Sequence, residues 1–178
     1  MVAKNKWFVM RDLHRGHTTV YAYEELASKG FTTYTPTIKK PHFDSSGKST
    51  IIERPYLPDL FFIYGEQHII EALIHPRSRF QFRYKYGVSP ATPMVVPEAA
   101  MNSFIAANRG SDETNFIPVS QIPKSVRNCP IRILGGPLNG LEGMLLRTRG
   151  TTRKQLVIEL PHFLAISVTV ADEYIELL

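Results

Sequence analysis

Residues 131–149, IRILGGPLNGLEGMLLRTR, constrain this chain more than any other stretch, because two β-prone apolar runs stand either side of a glycine-dense turn. Gly135, Gly136, Gly140 and Gly143 tolerate the positive φ and tight reversals that side chains resist. QLVIEL at 155–160 and ISVTV at 166–170 follow at strand length, bounded by Pro161 and by the Thr151-Thr152 turn. The outline over residues 131–178 is a small five-stranded barrel.

The front of the chain mixes helix and strand. KWFVMRD at 6–12 reads as a strand, HTTVYAYEELASKG at 17–30 as an amphipathic helix closed by Gly30, and FTTYTPTI at 31–38 as a second strand. KKPHFDSSGKSTIIER at 39–54 reads as a hairpin tip turning at Asp44-Ser45-Ser46-Gly47, and ERPYLPDLFFIYG at 53–65 as an aromatic strand. A short helix at 66–75 stops at Pro76, and RFQFRYKYG at 79–87 alternates basic with aromatic residues as an exposed-face strand does. PEAAMNSFIAAN at 97–108 starts with Pro97 and Glu98, residues a first helical turn favours, and sets Ala100, Met101, Phe104 and Ile105 on one side. It reads as the last helix of a first domain, residues 1–108. Gly110, Pro118 and Pro123 then mark residues 109–130 as a partly extended linker to the barrel at 131–178.

The 131–149 stretch resembles a KOW motif, and the front resembles the N-terminal (NGN) domain of the NusG family of transcription elongation factors. That family has Pro-Leu-Phe-Pro-Gly-Tyr-Val-Phe-Val where this chain has Pro55-Tyr56-Leu57-Pro58-Asp59-Leu60-Phe61-Phe62-Ile63. Asp59 stands for the usual glycine and Leu60 for the usual tyrosine. The divergence looks more like a specialised paralogue of the UpxY or RfaH type than the housekeeping factor. The resemblance implies an α+β protein: an NGN-like domain with a mixed, mostly antiparallel sheet and flanking helices, followed by an SH3-like KOW barrel.

It also implies sites and partners. An apolar face holding Tyr56, Leu57, Pro58, Leu60 and Phe62, supported by Trp7 and Phe8, would dock on the clamp helices of the largest RNA polymerase subunit. Arg11, His14, Arg15 and His17, joined by Arg77 and Arg79, would face the non-template DNA strand or nascent RNA, since arginine contacts phosphates and both residue types stack on bases. A solvated basic face explains the same cluster equally well. The loop Leu160-Pro161-His162-Phe163-Leu164 matches the region that approaches ribosomal protein S10 or Rho, although packing on the barrel's own end accounts for it more simply. Gly136, Gly140 and Gly143 would be the KOW glycines. The implied protein is a cytoplasmic monomer that suppresses pausing or premature termination on particular operons, without cofactor, metal or turnover.

Composition agrees and narrows the alternatives. Residues 1–130 hold 16 Lys and Arg against 11 Asp and Glu, so the whole net charge of +5 lies there and residues 131–178 are neutral. A basic front suits a polyanion. No apolar run approaches the ~20 residues that cross a bilayer, and MVAKNKWF lacks the apolar core of a signal peptide. One cysteine, Cys129, cannot form an internal disulfide, which suits a reducing cytoplasm. No metal-ligand spacing joins the six histidines, and no phosphate loop, nucleophile elbow or Rossmann pattern occurs, so an enzyme is not expected. A KOW module working directly on ribosomal RNA would need a basic barrel. A NusG-like factor promoting termination stays open, and the β-branched, glycine-rich tail favours a constant barrel over one that refolds into helices.

Overall fold

The computed structural model describes residues 4–13, 20–76, 78–110, 114–122, 129–147, 154–160, 164–170 and 175–178, and the chain divides into two compact units, Met1–Pro97 and Glu98–Leu178. The fold is mixed α+β, with antiparallel ladders and three α-helices among the described residues.

Unit 1 is built on two short apolar runs. WFVM in β1 (Lys6–Asp12) and LFFI in β5 (Leu60–Gly65) have no alternation, and both strands are buried on both faces accordingly. They pair antiparallel with Phe8 opposite Ile63 and Met10 opposite Phe61. β2 (Thr32–Tyr34) flanks β5, β6 (Phe80–Phe82) flanks the end of β1, and β7 (Val95–Val96) flanks its start, giving the order β2-β5-β1-β6 with β7 on β1. On one face Phe8, Met10, Phe61, Ile63, Phe80 and Phe82 pack with Ala22 and Leu26 of α1 (Ala22–Ser28) and Ile70 of α2 (Gln67–Leu73). The register sets Trp7, Val9, Tyr34, Leu60, Phe62 and Val96 on the other face, where all are buried too.

Helix α1 starts where two carboxylates satisfy free backbone donors. Asp12 Oδ2 accepts from the Ala22 N–H at 2.8 Å, and Glu24 Oε2 accepts from the Tyr21 N–H at 2.9 Å. The helix is therefore shorter than the expected 17–30, of which residues 17–19 lie outside the described set. The expected strand at 31–38 breaks at Thr35-Pro36 into β2 and β3 (Thr37–Phe43), with the Thr35 hydroxyl donating to the Leu60 carbonyl at 2.8 Å. β3 and β4 (Ser49–Pro55) form a separate two-stranded ribbon, as the hairpin reading required.

Unit 2 departs from the expected boundaries. α3 (Glu98–Gly110) groups with residues 98–178 and not with the first domain. Its Phe104 ring lies 6.1 Å from that of Phe116, which belongs to β8 (Thr114–Pro118). The expected linker at 109–130 thus supplies a strand and a short 3-10 turn, Val119–Gln121, because Ile117 and Ile122 pack on the sheet core at Val157 and Ala165. β9 (Pro130–Ile133), β10 (Glu142–Arg147), β11 (Lys154–Leu160) and β12 (Leu164–Val170) form a meander, β13 (Ile175–Leu177) returns to β9, and β8 pairs with β12. The result is a six-stranded sheet in the order β13-β9-β10-β11-β12-β8 where five strands were expected.

The glycine turn does what its composition requires. Gly135, Gly136 and Gly140 take φ of 85°, 66° and 80°, the left-handed region that favours glycine. Gly143 has a different reason to be glycine: a Cβ there would stand 2.5 Å from the Val157 carbonyl oxygen and 2.7 Å from Leu156 Cδ1. No helix among the described residues is long and apolar enough to cross a membrane.

Candidate functional site

The expected docking face is mostly core. Trp7, Phe8, Leu60 and Phe62 are buried, since β5 is an inner strand with apolar residues facing both ways. The aromatic strand expected at 53–65 is also interrupted: β4 ends at Pro55, the Leu60 N–H donates to the Leu57 carbonyl at 3.0 Å, and residues 56–59 form a turn. Tyr56 is half-buried there, while Leu57 and Pro58 are exposed. The accessible apolar part of the site is therefore the tip of the β4–β5 turn.

Asp59 fixes that turn and gives it a charged flank. Its carboxylate accepts from Arg83 Nη2 at 2.8 Å and stands 3.8 Å from Arg11 Nε, while its carbonyl accepts the Asp12 N–H at 3.0 Å. Arg11, opposite Leu60 and Gln81 in the sheet, shares a face with this carboxylate. Two guanidiniums on one carboxylate leave a net positive charge beside Leu57 and Pro58. Neither Asp59 as a hub nor Arg83 was visible in the sequence, because positions 11, 59 and 83 meet only through strand order. The one available signal was Asp59 itself, a charge set in the motif where the family has glycine.

The basic cluster is not assembled as expected. His14, Arg15, His17 and Arg77 lie outside the described residues. Arg79 turns toward α1, away from Arg11: its Nη2 donates to the Val20 carbonyl at 2.5 Å and its Nε faces Glu25 Oε2 at 3.4 Å, leaving the side chain only 18% exposed. Lys29, bonded to Glu25 at 2.7 Å and aided by Arg79, holds that carboxyl below its usual range. These groups and Leu73 edge an open groove of about 380 Å³ floored by Leu26 and Phe80. Its charges are spent on one another. Burial, then the neighbouring Glu24, pushes the Tyr23 hydroxyl up. Among the described residues no group of three or more His, Cys, Asp or Glu is placed to hold a metal.

The third place also folds inward. Leu160 and Leu164 face each other as the last pair of the β11–β12 ladder and are buried, so they cannot be an exposed contact; His162 and Phe163 lie outside the described residues. The ribbon of β3 and β4 shows the opposite behaviour, with Phe43 63% and Ile51 75% exposed. No family model matches the chain, and no curated protein matches it.

Proposed function

We propose that the chain is a NusG-like transcription elongation factor, with an NGN-like first unit and a KOW-like second, that binds RNA polymerase at the clamp helices of the largest subunit and suppresses pausing or premature termination. The observation that carries this reading is the chain order. A strand, a helix and a two-part strand lead into a hairpin ribbon and an apolar inner strand, and a separate antiparallel sheet with a glycine turn follows. The charge supports it as well. Met1–Pro97 holds thirteen basic and eight acidic residues, which is the whole net charge, and Glu98–Leu178 balances at eight of each.

The contact surface in this reading is the β4–β5 turn. Leu57 and Pro58 supply exposed apolar area, and the Arg11–Asp59–Arg83 cluster supplies a cationic rim suited to an acidic helical surface. Bound there, the factor favours the closed, elongating polymerase over paused states that break the contact. A differential affinity of about 1.4 kcal/mol changes the paused population tenfold. The effect is stoichiometric, with no reaction on the factor itself.

The test is binding of the purified protein to the clamp-helix fragment of its host's polymerase, repeated with Leu57→Asp. Leu57 is exposed, so this variant keeps its fold, unlike an Asp at buried Leu60. We expect saturable binding that weakens at least tenfold in the variant, and pausing assays in which only the wild type shortens pauses. A folded wild type that does not bind overturns the proposal.

A further inference from the structure

We propose that the outer edge of β4 takes up an extended segment of another protein, apolar at its centre and acidic at its ends, as a third strand on the β3–β4 ribbon. This surface is separate from the β4–β5 turn assigned to polymerase docking, and the inference needs no part of that reading.

The register leaves an ordered row of backbone groups on that edge. The bonds that close the ribbon at its two ends, from the Asp44 N–H to the Lys48 carbonyl at 3.1 Å and from the Tyr56 N–H to the Pro36 carbonyl at 2.8 Å, join even-numbered residues. The residues between such pairs turn their N–H and C=O outward, so Ser49, Ile51 and Glu53 present theirs along β4, which pairs only with β3 among the described residues. Pro55 has no N–H to extend the row, and the turn at Asp44–Gly47 ends it on the other side. β3 offers no such run, since Pro41 stands between Lys39 and Phe43. The template keeps its shape without a third strand. The Thr37 hydroxyl donates to Glu53 across the ribbon, and Asp44 Oδ1 accepts from the Ser46 and Lys48 N–H groups, both at 2.9 Å. An added strand therefore finds its rungs in place.

The side chains along the row specify the strand. Ile51, 75% exposed, shares a face with Phe43 and Pro41, so an apolar residue set beside it takes both out of water. Lys48 and Arg54 lie on the opposite face, one at each end of the row. Residues 37–55 hold four basic residues, Lys39, Lys40, Lys48 and Arg54, against Asp44 and Glu53. Both carboxylates accept hydrogen bonds within the ribbon, whereas Lys48 and Arg54 have no ion-pair partner among the described residues. An acidic residue at each end of the added strand meets these two cations. A second copy of the chain fits badly, because β4 laid antiparallel on β4 about Ile51 sets Lys48 against the copy's Arg54.

The experiment is an amide NMR titration of the full chain with the end-blocked peptide Glu-Thr-Val-Val-Val-Thr-Glu, which sets its acids beside Lys48 and Arg54 whichever way it runs. We expect saturable binding that shifts the Ser49, Ile51 and Glu53 amides and protects them from hydrogen exchange, with the Lys39 and Phe43 amides unchanged. Ile51→Pro should weaken binding about tenfold, because it removes an outward donor and no bond of the ribbon. Lys39→Pro makes the same change on the β3 edge and should leave the affinity as it was. Arg54→Gln should weaken binding about threefold, and the peptide with lysine at both ends should not bind measurably. The proposal is overturned if the folded protein leaves the β4 amides unprotected, binds the lysine-ended peptide equally well, or is unaffected by Ile51→Pro or, should that variant not fold, by Arg54→Gln. Protection that appears in concentrated protein without peptide would assign the edge to a second copy and overturn it too. Because polymerase is absent, failure here leaves the clamp-helix test standing, and failure there leaves this one standing.

Discussion

Strand β5 and the segment 83–88 use similar side chains to opposite ends. Leu60, Phe61, Phe62 and Ile63 are all buried, whereas Tyr84, Tyr86 and Val88 stand 47% exposed or more. Apolar content does not separate them. What does is place in the sheet: β5 has β2 on one side and β1 on the other, while the segment begins where the β1–β6 ladder stops at Met10 and Phe82. An aromatic residue is thus core or surface according to what its strand has for neighbours, a property of topology that no local window contains.

Four measurements would break or sharpen this contrast. Phe62→Ala should have the largest effect, a loss of about 3–5 kcal/mol in denaturant unfolding, because the ring is fully buried. A change under about 1 kcal/mol would mean that β5 is not the core strand described. In the second unit Gly143→Ala should cost about 3 kcal/mol, since the added methyl meets the Val157 carbonyl, a backbone atom that cannot rotate aside. It should lower the unfolding midpoint with little change in slope.

Half-exposed groups should fall between the extremes, and Glu25 tests this by pH. Its folded-state pKa lies below the ordinary 4.5, so its pairing with Lys29 and Arg79 contributes stability above that pH and loses it as pH falls through the lowered value. After solvent screening the contribution should stay under about 1 kcal/mol. In a carboxyl NMR titration, Lys29→Met should move the Glu25 midpoint up toward 4.5. Smallest of all, Tyr86→Ala should shift stability by no more than about 0.5 kcal/mol. A larger loss would show that the exposed ring supports the fold.

Much of the architecture could be read from the residues. The apolar runs of β1 and β5, the helix ending near Gly30, the ribbon around Asp44–Gly47 and the glycine turn before β10 each carry a local cause that the structure repeats. The unbroken run LFFI even signalled a strand covered on both faces. The docking expectation set that signal aside, and Leu60 and Phe62 proved buried. β8 was missed because TNFIP, set among prolines, has too few apolar residues to show a period. The Arg11–Asp59–Arg83 contact depends on two strand crossings, and charges paired across a sheet leave no spacing rule in one sequence.

The β3–β4 ribbon carries a safeguard in its register. Asp44 N–H bonds to the Lys48 carbonyl, and Tyr56 N–H to the Pro36 carbonyl at the other end, so the inward-facing pairs fall on even-numbered residues of β3. Pro41, opposite Ile51, therefore sits where a backbone N–H would point away from the partner strand, and proline has none to offer. A stray strand approaching that open edge finds a gap in the donors where it would need a rung, next to Lys39 and Lys40. The ribbon can keep Phe43 and Ile51 in water and still resist growing, strand by strand, into an aggregate.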